Sequence, residues 1–204
     1  PDQVYLFNGR IGTHLPAKLI CERLSLEYFS YEYRRISNHY VLKKNGVVHH
    51  ALSVEQAREA RDCWTAEDQV EGENIFKMMR YGDTSGAIKN FSGLQKKNAM
   101  PNGFNHSKRN IVIFCGTLDE YEGVEFGSNK IYQPDQTSGI SRILATMESN
   151  SEFQFYIRCH PNMVGLPANT SQLVDTRDID SRFANVVVIW PEEIVDSYAL
   201  MEAC

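Results

Sequence analysis

Three short apolar runs in the second half of the chain constrain its architecture more than any other feature. They lie in NIVIFCGTLDEYEG, FQFYIRCHP and ANVVVIWP (Ala184–Pro191). Each is rich in β-branched or aromatic residues and closes on glycine, proline or a polar group, which is how short strands read. Between the first two, QPDQTSGISRILATMES predicts a helix from Asp135 or Thr137 to Met147. After the third, VDSYALMEAC begins another, with Asp196 or Ser197 as its cap. Strands joined through helices pair in parallel, so this half reads as α/β.

The first half starts with the same grammar. VYLFNGR (Val4–Arg10) is a strand closing in an Asn-Gly-Arg turn, LPAKLICERL has helical spacing through Leu15, Leu19, Ile20 and Leu24, and LEYFSYEYRR (Leu26–Arg35) returns to strand composition. From Ser53 the character changes. SVEQAREARDCW places Ser53 and Gln56 at capping-box spacing, and AEDQVEGENIFKMMRYG predicts a helix from near Thr65 to Gly82. The Gly-, Asn-, Ser- and Lys-rich stretch that follows reads as a connector. The residues thus read as an α/β piece, a helical stretch with its connector, and a second α/β piece.

A chain of 204 residues is long enough to bury a proper core. Its formal charge of −5 argues against a nucleic-acid partner, which calls for a basic stripe. No run approaches the roughly 18 apolar residues that span a bilayer. No signal peptide precedes the first strand, and a start at Pro1 suggests a trimmed or partial chain. The five cysteines are odd in number and free of CxxC spacing, which fits a reducing compartment. Cys115 and Cys159 sit in strand patterns, as small hydrophobes do. The Asn-x-Ser/Thr triplets at Asn90, Asn105 and Asn169 read as chance.

Ligands of open α/β sheets bind at the carboxyl ends of strands. Three such ends carry polar groups here: Asn8-Gly9-Arg10, Gly116-Thr117-Leu118-Asp119-Glu120, and His160-Pro161-Asn162. A histidine before proline is biased to extended backbone, and its imidazole can act as a base, donate to a phosphate or pair with a carboxylate. Arg158, two residues back and on the same face by strand alternation, could hold an anion. Gly116 allows close backbone approach and Thr117 offers a hydroxyl, while Asp119 and Glu120 could serve as base or bind sugar hydroxyls. Blander readings stand beside these: a histidine satisfied by a neighbouring carbonyl, a solvated acidic loop that includes Glu122 and Glu125, and an ordinary Asn-Gly turn. His39, His49 and His50 lack the carboxylate or cysteine that would complete a metal site. The G-x-G-x-x-G, P-loop and G-x-S-x-G motifs are absent.

On VYLFNGR, NIVIFCGTLDEYEG with IYQPDQTSGISRIL, FQFYIRCHPN and WPEEIVDSYALMEAC, taken in that order, the chain resembles the capsular polysaccharide biosynthesis glycosyltransferases. These are relatives of the capsule Kdo transferases and, more distantly, of the CDP-glycerol glycerophosphotransferases. The resemblance implies a GT-B-like fold, two Rossmann-like domains facing across a cleft with the donor nucleotide on the C-terminal one. Carried onto this chain, it makes 1–53 the end of the acceptor-side domain, 54–108 a helical segment and linker, and 109–204 the start of the donor-binding domain. It implies a nucleotide-sugar donor, a capsule or O-antigen glycan acceptor and no obligatory cofactor or metal. It also implies a cytoplasmic location, with peripheral contact to the inner membrane or the capsule assembly machinery. His160, Asp119 and Glu120 would be the catalytic candidates. Asn8, Arg10, Gly116, Thr117, Arg158 and Asn162 would bind substrate, and Ser197 and Tyr198 would stand close to the nucleotide. The family's Gly-Ser-Thr-rich turn after the DSYALMEAC helix is not reached and the first acceptor-side strands are missing, so both halves read as incomplete. The competing expectations are a non-catalytic α/β fragment or scaffold, and a transferase of glycerol-phosphate-type units.

Overall fold

A computed structural model of the chain describes residues 3–9, 14–33, 40–47, 57–81, 95–118 and 135–204. The chain divides into two compact units, the first holding the described residues up to Tyr81 and the second those from Gln95 onward. Both are α/β. Each contains a small three-stranded sheet.

In the first unit, β1 (Val4–Phe7) and β2 (Tyr28–Tyr33) pair in parallel across α1 (Leu15–Arg23), the expected βαβ step. Asn8 and Gly9 then turn the chain at φ +65° and +76°, the left-handed region where asparagine and glycine are most at ease. A further strand, β3 (Tyr40–Lys44), runs antiparallel to β2 and was not foreseen. Its alternation is shallow and it ends in Lys43 and Lys44, a pattern typical of an edge strand, which need bury only part of one face.

The helical spacing in α1 selected the wrong side chains. Leu19, Ile20 and Leu24 are exposed, whereas Lys18 and Cys21 are buried. Cys21 packs with Leu6, Tyr28, Val4 and Ala17, so the face that meets the sheet is the less apolar one. Lys18 is accommodated there through Glu22 at 3.4 Å, and Glu22 in turn accepts from the Tyr28 hydroxyl at 2.9 Å.

The first unit also holds α2 (57–62) and α3 (Ala66–Arg80). Thr65 starts α3 as expected: its hydroxyl accepts from the Asp68 N–H while the Asp68 carboxylate accepts from Thr65, two end groups satisfied reciprocally. The proposed Ser53–Gln56 capping box lies outside the described residues, as do His39, His49 and His50.

The second unit is built on β4 (Arg109–Phe114), β5 (Phe153–Arg158) and β6 (Val186–Ile189), all parallel and in sequential order. Helix α4 (Gln136–Met147) links β4 to β5, and α5 (Ser171–Arg182) links β5 to β6. Odd-numbered β4 and β5 residues and even-numbered β6 residues form one face. Ile157 and Val188 pack there with Leu144 of α4 and Ile179 of α5. The opposite face, through Val112, Tyr156, Val187 and Ile189, meets Leu200 of α6 (Ser197–Ala203) and the segment carrying Met100 and Phe104. Fully burying a side chain such as Leu144 or Phe155 is worth about 1.5–3 kcal/mol, so the sandwich is closed by its own helices.

Residues 95–108, read from the sequence as part of a connector, belong to this sandwich. Phe104 stacks on Tyr156 with ring centres 4.9 Å apart, and the Asn105 N–H donates to the Tyr156 hydroxyl at 2.9 Å. Helix α5 had no explicit prediction because SQLVDTRDIDSR shows little apolar periodicity, yet Leu173, Thr176 and Ile179 give it a buried stripe. Among the described residues no helix is long and apolar enough to cross a membrane.

Candidate functional site

Helices α4 and α5 cover one face of the β4–β6 sheet, while α6 lies on the other and packs back onto β4. The chain therefore changes face after β6. Ligands of open α/β sheets bind outside the carboxyl ends of the strands, which directs attention to the end of β4. Gly116, Thr117 and Leu118 stand at that end.

The loop is held from below. Gln172, buried in the first turn of α5, donates through Nε2 to the Gly116 carbonyl at 2.8 Å and accepts at Oε1 from the Leu118 N–H at 3.3 Å. Thr117 between them is buried. Nearby, the Thr137 hydroxyl lies 2.8 Å from Asp135 Oδ1 and 3.3 Å from Asp175 Oδ2, joining the first turns of α4 and α5. Asp135 caps α4 by accepting from the Ser138 N–H, and that bond holds its carboxyl below the usual range.

His160 leaves the end of β5 with φ −68° and ψ 134°, the extended backbone expected before Pro161. Its Nδ1 accepts from the Asn162 N–H at 3.0 Å, opening a 3-10 turn over Pro161–Met163. An Nδ1 that accepts leaves the proton of the neutral ring on Nε2. The side chain is half-buried at the end of β5. Asn162 contributes its backbone to the turn and is otherwise exposed.

Arg158 is employed differently from the anion contact expected of it. It is 3% exposed, and its guanidinium donates to the Trp190 carbonyl at 2.7 Å and the Glu193 carbonyl at 3.1 Å, tying β5 to the loop after β6. Burial lowers its pKa from the ordinary arginine value. Ser197 is likewise engaged: its N–H and hydroxyl bind the Gln95 carboxamide at 2.9 and 3.0 Å. The Tyr198 and Ala199 N–H groups donate to the Asp196 carboxylate, so the predicted cap is real and the first turn of α6 is filled from within. No family model, curated protein or solved structure matches the chain.

In the first unit, Asn8 donates through Nδ2 to Glu32 Oε1 at 2.7 Å and its N–H donates to the Tyr31 carbonyl at 2.8 Å. A Cβ on Gly9 would come within 3.1 Å of Val47, so the turn is tight as well as left-handed. Arg10, Asp119 and Glu120 lie outside the described residues. Among the described residues no group of three or more His, Cys, Asp or Glu side chains could hold a metal ion.

Of the predicted residues, the structure gathers Gly116, Thr117, His160 and Asn162 at the carboxyl ends of adjacent strands. Gln172 was missed. Its only sequence signal is a polar residue at the second position of a weakly patterned helix, and its partners are backbone groups of another segment.

Proposed function

We propose that this chain works as a glycosyltransferase, moving a sugar from a nucleotide-sugar donor to a bacterial capsule or O-antigen glycan, with the donor held at the carboxyl edge of β4–β6. The observation that carries this reading is the position of the Gly116–Leu118 loop and of His160 just beyond the carboxyl ends of β4 and β5, two strands paired in parallel. In a transfer of this kind the acceptor hydroxyl attacks the anomeric carbon, the bond to the donor phosphate breaks, and negative charge grows on the departing phosphate oxygen. An imidazole N–H brought to that oxygen stabilises the transition state more than the ground state. His160 takes this role. Asp119 or Glu120 takes the proton of the acceptor hydroxyl, and Gly116 with Thr117 lets the backbone approach the donor closely. The GT-B arrangement, independence from an obligatory metal and peripheral placement at the inner face of the cytoplasmic membrane belong to the same proposal.

A second reading, a nucleotide-binding module without chemistry, is favoured by the commitment of Arg158 and of the first turn of α6 to internal partners. A thermal-shift panel of CMP, CDP, UDP, GDP and their sugar conjugates, run on the chain and on His160→Ala, tests both. One nucleotide class should stabilise the wild type by about 2.7 kcal/mol at a hundredfold excess over Kd, and the variant much less. Stabilisation without turnover of any sugar conjugate selects the binding module. A flat panel on a folded wild type removes the donor site.

A further inference from the structure

We infer that Gln172 is a positioning residue, one that sets the Gly116–Leu118 loop in the conformation that receives the ligand; this rests on the donor reading above. Pairing between β4 and β5 persists to Cys115, whose N–H donates to the Arg158 carbonyl at 3.0 Å. Beyond it the chain leaves the sheet, and the Gly116 carbonyl and Leu118 N–H need partners other than a strand. The Gln172 carboxamide supplies both at once. Its orientation is dictated by chemistry, because a carbonyl only accepts and an N–H only donates. The side chain thus stands in for one residue of a neighbouring strand, holding the backbone on either side of Thr117. It is itself anchored: it is 4% exposed, and its own carbonyl accepts from the Thr176 hydroxyl at 2.7 Å.

Two consequences separate this role from ordinary packing. A side chain of similar length and volume that lacks the carboxamide should preserve the core yet release the loop. A carboxylate should accept from Leu118 but fail to donate to Gly116 until it is protonated. The described ionisable groups on the surrounding elements include Asp175 and Arg177 on α5, Asp135 at the head of α4, Cys115 beside Gly116, and Cys159 and His160 after β5. All are present in the wild type, so the ratio of variant to wild-type affinity removes their titration.

The test uses the full chain, calorimetric titration with CMP, CDP, UDP and GDP, and amide exchange at Leu118, on wild type, Gln172→Met and Gln172→Glu. Gln172→Met should bind about tenfold more weakly with unchanged helix content, and its Leu118 amide should exchange faster. Gln172→Glu should be weak near about pH 8 and approach wild type near about pH 5.5, a buried carboxyl being protonated well above the ordinary value of about 4.3. Wild-type affinity in both variants, or unaltered exchange at Leu118, overturns the role of Gln172. A wild type that binds none of the nucleotides overturns the donor reading and the ligand role with it. Faster Leu118 exchange in Gln172→Met would then still record the clamp, so the two failures are distinguishable.

Discussion

Cys115 and Cys159 follow the paired residues Phe114 and Arg158 and stand side by side at the carboxyl ends of β4 and β5. Burial pushes the Cys115 thiol up to about 11 and the Cys159 thiol up to about 12. The thiolate is the reactive species, so neither group should react near neutral pH while the fold holds. With Cys21 also buried, a thiol-reagent titration of the native chain should count Cys63 and Cys204 promptly, and all five cysteines only after denaturation. Prompt labelling at Cys159 would contradict its place in the core. Here sequence reasoning reached the right environment, because an apolar strand pattern dictates burial for a small thiol. It did not reach the environment of Arg158. Strand alternation gives the side from which a side chain departs, whereas the end of a long guanidinium goes to whatever carbonyls the fold places within reach.

At the scale of elements, caps were legible and faces were not. Asp135, Thr65 and Asp196 announce helix starts through interactions within three residues of themselves, so local sequence suffices. Asp135→Ala should destabilise the second unit by about 1 kcal/mol in urea melts at neutral pH. Folding lowers the Asp135 carboxyl below its unfolded value, chiefly through the Ser138 N–H. Its contribution is therefore complete above about pH 4 and is lost as pH falls through the lowered native value. The gap between wild type and variant should narrow in acid; a gap that widens there would contradict the cap. The buried face of α1 shows the opposite case. Its leucines and isoleucine mark the more apolar side, but the position of β1 and β2 selects Cys21 and Lys18, and Glu22 makes the buried lysine tolerable.

At the scale of the whole molecule, the second unit closes its own core. Both faces of β4–β6 are covered by residues of that unit, including the 95–108 segment. A polypeptide of residues 94–204 should therefore fold alone, retaining its helix content and a cooperative thermal transition. Cutting instead at 109 removes Met100 and Phe104 from the Tyr156 face and should broaden or abolish that transition. Equal behaviour of the two polypeptides in a calorimetric scan would show that the segment contributes nothing to the core.

By itself the sequence determined the three strands of the second unit with helices α4 and α6, the caps of α3, α4 and α6, and the presence of polar residues at strand ends, but not α5. These follow from periodicity and from contacts a few residues apart. Only the tertiary structure decided which of those polar groups have their hydrogen bonds already spoken for. Arg158 finds carbonyls 32 and 35 residues away, Ser197 finds Gln95 across 102, and Gln172 reaches Gly116 across 56. Each partner is a backbone or carboxamide group of the kind that occurs everywhere along a chain. No residue pattern marks the one that folding will bring within hydrogen-bonding distance, because that proximity is set by the packing of segments far apart in the chain.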